Sequence, residues 1–256
     1  MNEDAETLRE GIENLFGIRL YDYQVKFLRD CIDEHRVTAR MCRQTGKSMT
    51  LAIYAVVAAM RTPNTNILCI APTDKQAGLI FDKVKYFLGL VEKKTPILEV
   101  NTLRSTQLSN GSRIEAHTVG DTGLTIRGHT VNVLIIDESA FIKQSIYNEV
   151  LLPTVMATHG KIIEISTPFG RNNHFFEHCH NKKWYHHHVP WQVAVAAGHL
   201  SQQDIDDARS TMTKMQFDTE MGAEFVDDQN TYFPLQLINN CTEEYPMITE
   251  AALHGS

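Results

Sequence analysis

The chain has no long apolar run, no C-x-x-C pair and no basic surplus, and each absence removes a class of protein. Its longest apolar stretch, Ala52 to Met60, is interrupted by Tyr54 and is too short to cross a bilayer, so no membrane partner is expected. The cysteines are five and scattered (Cys31, Cys42, Cys69, Cys179 and Cys241), an odd set that suits a reducing compartment. The opening MNEDAETLREGIENLF is acidic and amphipathic, which is the wrong chemistry for a secretory leader, and a cytoplasmic location is the expectation. There are 24 Lys and Arg against 31 Asp and Glu. All the basic residues lie between Arg9 and Lys214, while residues 215–256 hold eight acids and no base. A nucleic-acid binder usually shows a basic surplus, so any contact with DNA has to come from a local patch. Low-complexity segments are missing too, and 256 residues at 43% hydrophobic content are enough for one large α/β domain with a buried core, or for two small domains.

What is present is an alternation of strands and helices. Apolar spacings of three and four predict helices over 4–15 and 22–35. Val37–Cys42 reads as a short buried strand, 47–61 as a helix, 66-NILCIA-71 as a buried strand and 74–90 as a helix. The segments 98–100, 103–108 and 112–118 alternate like short antiparallel strands around the turn Asn110-Gly111. The run 131-VNVLIID-137 is nearly continuously apolar, as a parallel strand covered on both faces should be. A helix over 143–156, the strand 161-KIIEIS-166, a helix opened by the capping box Ser201–Asp204 and a last helix over 214–224 complete the pattern. These elements predict a three-layer α/β domain with a mainly parallel sheet.

The chemistry sits at the strand ends. In 42-CRQTGKS-48, Gly46, Lys47 and Ser48 fit the phosphate-binding loop G-x-x-x-x-G-K-[ST], but Met41 stands where the first glycine belongs. That is acceptable if Met41 points into the sheet. Backbone N–H groups of residues 43–48 (Arg43, Gln44, Thr45, Gly46, Lys47 and Ser48) would cradle phosphates, with Met49 following at the helix start. Lys47 would place a charge between the β- and γ-oxygens, and Ser48 would bind Mg²⁺. The strand 133-VLIIDE-138 ends in two acids, Asp137 for the metal's water shell and Glu138 to polarise an attacking water. In 165-ISTPFGR-171, Ser166 or Thr167 would lie beside the γ-phosphate. In 20-LYDYQ-24, Gln24 could read an adenine edge while Tyr21 or Tyr23 stacks on the base, favouring ATP.

These runs, with 71-APTDKQA-77, 126-IRGHTVNVLIIDE-138, 164-EISTPFG-170 and 217-FDTEMGAEFVDD-228, occur in the order and spacing of large terminase subunits, which the chain resembles over about residues 17–230. The R-Q-x-G-K-S loop without its first glycine is a habit of that family. The resemblance implies a P-loop NTPase of the ASCE/RecA-like kind, the ATP-hydrolysing, Mg²⁺-dependent motor that drives double-stranded DNA into a procapsid in the cytoplasm of an infected bacterial host. It implies Lys47 and Ser48 as phosphate and Mg²⁺ ligands, Asp137 as the Walker B acid, Glu138 as the catalytic base, Ser166–Pro168 as the coupling motif and Gln24 as the adenine reader. Two arginines compete for the transition-state charge: Arg43 in cis, or Arg127 reaching a neighbouring subunit of a ring, and Arg127 is the preferred reading. Implied partners are double-stranded DNA, further copies of the chain in a pentameric ring, the portal protein and the small terminase subunit. The domain reading is an ATPase core over 1–170 with N-terminal helices, a small helical lid over 171–230 and a connector over 231–256. A nuclease domain, and nuclease activity, are not expected in this chain.

Other candidates carry less. His174, His178, Cys179, His180 and the run 186-HHH-188 could suggest zinc, but four converging ligands are not evident. Arg104 is a guess for a DNA contact. Two rival functions share the motifs. A superfamily-2 helicase core needs a second RecA-like domain for which there is no room, and a nucleotide-gated assembly protein with little turnover has no use for Glu138.

Overall fold

In a computed structural model, residues 3–120, 123 and 126–226 are described, and the connector expected over 231–256 lies outside them. Helices α1 (Glu3–Phe16) and α2 (Asp22–Asp33) lead into β1 (Arg36–Met41), α3 (Lys47–Arg61), β2 (Asn66–Ala71) and α4 (Asp74–Glu92). Then come β3 (Leu98–Asn101), β4 (Ser105–Leu108), β5 (Arg113–Thr118) and β6 (Val133–Asp137). The helical segment 144–156 is α5 (Gln144–Ile146), a π-helical turn over Tyr147–Leu151 and α6 (Leu152–Met156). Pro153 lacks an N–H and its ring crowds the carbonyl one turn back, which the wider π-turn accommodates. The described residues continue with β7 (Lys161–Ser166), α7 (His174–His180), β8 (Tyr185–Val189), α8 (Trp191–Ala196), α9 (Gln202–Thr211) and α10 (Lys214–Glu220).

One eight-stranded sheet runs β3-β4-β5-β2-β6-β7-β1-β8. β5 through β8 pair in parallel, and β3-β4 and β4-β5 are antiparallel. Parallel strands need both faces covered, and β6 is buried along its whole length. Strand alternation sorts the core. Val133, Ile135, Ile163 and Ile165 join the apolar cluster of α1–α4, while Leu134, Ile136 and Ile162 join that of α5, the π-turn and α6. The result is helix, sheet, helix.

The region from 171 onward differs from an all-helical expectation. Its segment Tyr185–Val189 is a strand that pairs in parallel with β1 and becomes the sheet's edge. Three successive histidines carry no apolar alternation, so the pairing has no local signal. The helices α8, α9 and α10 beyond it gather around their own small core of Ile205, Phe217 and Met221.

Candidate functional site

The loop between β1 and α3 is built on a buried base. Met41 is 1% exposed and packs into the core on the α1–α4 side, so the side chain in place of a first glycine stays clear of the loop's mouth. Gln44 (φ 60°) and Gly46 (φ 78°) take left-handed backbone conformations that turn the chain into α3. A Cβ on Gly46 would stand 2.5 Å from Gln24 Nε2, and Met49 Cε flanks the same point at 3.5 Å. Thr45 Oγ1 donates to the Cys42 carbonyl (2.7 Å), and Lys47 Nζ folds over the loop to the carbonyls of Met41 (3.3 Å) and Cys42 (3.2 Å).

The carboxyl ends of β6 and β7 face that loop. Ser48 Oγ donates to Asp137 Oδ2 at 2.8 Å. Two hard oxygen donors are thereby paired at a helix start and a strand end, a donor set that suits Mg²⁺. Burial, with the neighbouring Glu138 carboxylate, pushes Asp137 up to about 6, against the pull of Ser48 and Lys47. Glu138 is itself left-handed (φ 51°, ψ 47°), a strained state for a non-glycine residue that recurs where a side chain must be aimed. Its Oε2 accepts from Ser166 Oγ (3.1 Å), Thr167 N (3.3 Å) and Thr167 Oγ1 (3.3 Å). Both hydroxyls of the pair left open from the sequence thus hold the same carboxylate oxygen.

Several expected residues are placed differently. Gln24 is 1% exposed and its amide is committed at both ends: Oε1 accepts from Tyr21 N and Nε2 donates to the Thr45 carbonyl, each at 3.1 Å. It props the loop from behind, because its position in the helical capping box turns it inward. Tyr21 stacks on His199 (ring centroids 4.4 Å apart, 14° between planes), and the Tyr23 hydroxyl donates to the Thr45 carbonyl and pairs with His199 Nδ1. Arg43 is held by Glu220 of α10 through both Nε and Nη2, and its backbone N–H donates to the Glu220 carbonyl (3.0 Å). Its guanidinium is therefore engaged on the α10 side. Arg104, the residue considered for a DNA contact, donates to the Asp74 carboxylate (2.8 Å) and carbonyl (3.1 Å) at the start of α4. Arg127 is exposed in a tight turn, Ile126–Gly128, and among the described residues has no hydrogen-bond or ion-pair partner.

The histidines considered for zinc are dispersed. His174 pairs with Ser139 Oγ (2.9 Å), His178 with Glu164 (3.0 Å), His180 with the Phe176 carbonyl, His186 with Thr38, His187 with Asp30 and His188 with the Gly222 carbonyl. Burial lowers His174 to about 4 and, helped by Arg40, His186 to about 3, so both stay neutral at ordinary pH. Sequence reading missed His199, Glu220 and the fully buried Glu164. Glu164 and Glu220 fall inside the runs 164-EISTPFG-170 and 217-FDTEMGAEFVDD-228, but their partners, His178 and Arg43, are set by tertiary packing that those runs do not encode, and His199 lies in no motif.

Residues 41–245 match the sequence profile of a family described as terminase large subunit, T4likevirus-type, N-terminal. The terminase large subunit of Thermus phage G20c is 26% identical over 246 residues, covering 78% of this chain and 48% of its own length. The chain thus spans about half the length of the curated relatives it matches. Among solved structures, the large terminase ATPase domain of Thermus phage P74-26 aligns with a TM-score of 0.73 at 24% identity, over 86% of this chain and 99% of that one. The HK97 bacteriophage large terminase gives 0.70 at 17% identity, over 88% and 56%. At these identities the structural likeness speaks for the fold.

Proposed function

The chain belongs to the terminase large subunit family, and from that premise we propose that it is the Mg²⁺-dependent ATPase part of a viral DNA-packaging motor. The observation that carries the reading is the meeting of Ser48 with Asp137 at 2.8 Å beside a Glu138 held by the hydroxyls of Ser166 and Thr167. A protein that only bound nucleotide would have no need to aim a strained glutamate at the carboxyl edge of the sheet.

The chemistry follows from those positions. Lys47 and the backbone N–H groups of residues 44–48 bind the β- and γ-phosphates of the substrate, the Arg43 N–H being taken by the Glu220 carbonyl. Ser48 and Asp137 would hold Mg²⁺, which when bound neutralises charge on the phosphate oxygens. Glu138 accepts the proton of the attacking water as its oxygen bonds to the γ-phosphorus. The bond from that phosphorus to the bridging oxygen breaks, and ADP and phosphate leave. Ser166 and Thr167 sense that protonation directly, since they share the accepting oxygen of Glu138. Arg127, exposed and unpartnered among the described residues, supplies transition-state charge to a neighbouring copy in a ring, while Arg43 stays with Glu220. The partners of this reading are double-stranded DNA, the portal protein and the small terminase subunit, in the cytoplasm of the infected host. Nuclease activity is not expected of these residues.

The test is Glu138→Gln. ATP turnover in Mg²⁺ should fall by roughly 10²–10⁴-fold while nucleotide affinity stays within about threefold. Turnover that survives the substitution removes Glu138 as the base; no ATP turnover in the wild-type chain would remove the ATPase reading.

A further inference from the structure

The face of the sheet opposite the P-loop carries a second cluster with donor chemistry of its own. On β5, Ile114 and Ala116 enter the core on the α1–α4 side, so strand alternation puts Arg113, Glu115 and His117 on the other face. The loop leading to β6 passes over that face, anchored by Ile126 and Val131, and brings His129 beside them. His117 Nε2 lies 3.2 Å from Glu115 Oε2 and His129 Nδ1 lies 3.7 Å from the same oxygen. One donor atom from each of the three residues falls within 4.8 Å of the others. The second carboxylate oxygen is occupied elsewhere, accepting from Arg113 Nη1 (3.3 Å) and Ser105 Oγ (3.4 Å).

We propose that Glu115, His117 and His129 form a site for a divalent transition-metal ion, zinc in its simplest form. With metal–ligand bonds of about 2.0–2.1 Å, neighbouring ligands of a tetrahedral ion stand about 3.3–3.4 Å apart, and the two spacings to Glu115 bracket that value. The imidazoles are tilted by 66° with centroids 5.4 Å apart, so small ring rotations aim both nitrogens at one point next to Oε2. Arg113 and Ser105 fix the carboxylate from behind, the outer-shell arrangement that orients a ligand. Two imidazoles and one carboxylate favour zinc or its first-row neighbours over Mg²⁺ or Ca²⁺, which prefer oxygen alone. A cavity of about 140 Å³, lined in part by Glu115, His129, Asn66 and Val131, adjoins the cluster and gives solvent a way to the fourth position. The site is separate from that of Ser48 and Asp137, because Asp137 alternates with Val133 and Ile135 toward the α3 side. Its consequence is mechanical. His129 follows Arg127 by two residues across Gly128 (φ 93°), so a bound ion fastens the 126–131 segment to β5.

Zinc binding to the metal-free full chain, measured by calorimetry and by the visible ligand-field spectrum of Co²⁺ as a stand-in, tests the site. Wild type should bind one Zn²⁺ that is lost in His117→Ala and in His129→Ala and kept in His180→Ala and His188→Ala, which touch other groups. Glu115→Gln, which preserves volume, should weaken binding by about tenfold or more and carries the test if either alanine variant is unstable. Stoichiometry and affinity unchanged in these variants, or no tight Zn²⁺ in the wild type, overturns the proposal. Amide exchange across 126–131 should slow when Zn²⁺ is added. Exchange that ignores the metal overturns the fastening role.

Discussion

Asp137 has to be ionised to hold a cation and is buried where ionisation is costly. Its pKa, pushed up to about 6 from an ordinary 3.8, means that the ionised carboxylate is less favoured in the folded chain than in the unfolded one. The stabilising effect of a raised acid pKa is complete below about 3.8 and is lost as pH rises through about 6. Asp137→Asn should therefore make the metal-free chain more stable at pH 7–8, on the order of 1–3 kcal/mol, and the gain should shrink as the pH is lowered toward 5. Melting curves across that range check it; a constant offset at all pH values would mean that ionisation is not the cause. Bound cation reverses the balance, so the Mg²⁺ concentration for half-maximal turnover should rise below about pH 6. Gly46 is a second single-residue case. A left-handed φ of 78° costs an L-residue about 1–2 kcal/mol, and a Cβ would also displace the Gln24 amide. Gly46→Ala should lower unfolding stability by about that amount and weaken nucleotide binding, both readable in a urea titration with and without ATP.

At the level of elements, the parts legible in the sequence are those whose signal is local. The apolar runs of β2 and β6 and the 3.6-residue spacing of α2 and α4 announce themselves, because a strand buried on both faces and an amphipathic helix leave opposite patterns. The P-loop and the two acids at the end of β6 are legible for the same reason, as a short motif fixes its own backbone. β8 is not, since its place at the sheet edge is secured by side chains from distant elements: His186 on Thr38, His187 against Asp30 and Phe27, His188 on Gly222. Gln24 has a contact that its motif does not announce. Its residue type suits base recognition, and the capping geometry of α2 also makes its amide a support of the loop. The tie between α10 and the loop joins two quoted runs, Arg43 in 42-CRQTGKS-48 and Glu220 in 217-FDTEMGAEFVDD-228, but nothing in either marks the pairing. Arg43 is 64% exposed, so solvent screens the pair, and Glu220→Ala should cost less than about 1 kcal/mol of stability. A loss above about 2 kcal/mol in urea unfolding would show that the bridge is a structural clamp and not a releasable latch.

For the whole molecule, the question is whether one chain completes its own site. Of the two arginines that could supply charge, Arg43 is engaged by Glu220 and Arg127 stands exposed on a turn beyond the sheet. A group that is exposed in one copy and absent from its own P-loop is suited to serve the next copy. That geometry predicts complementation between inactive chains. Glu138→Gln keeps Arg127 but lacks the base, and Arg127→Ala keeps the base but lacks the arginine; each alone should turn over ATP at least about 10²-fold more slowly than wild type. Mixed at high concentration with linear duplex DNA, they should regain activity, because some interfaces then pair an intact base with an intact arginine. The recovery should rise with total protein, as an associating system requires. If the mixture stays at the sum of its parts at every concentration, Arg127 does not act across an interface. Arg43 would then have to leave Glu220 during turnover, and Glu220→Ala, by freeing it, should raise the rate of the dilute chain.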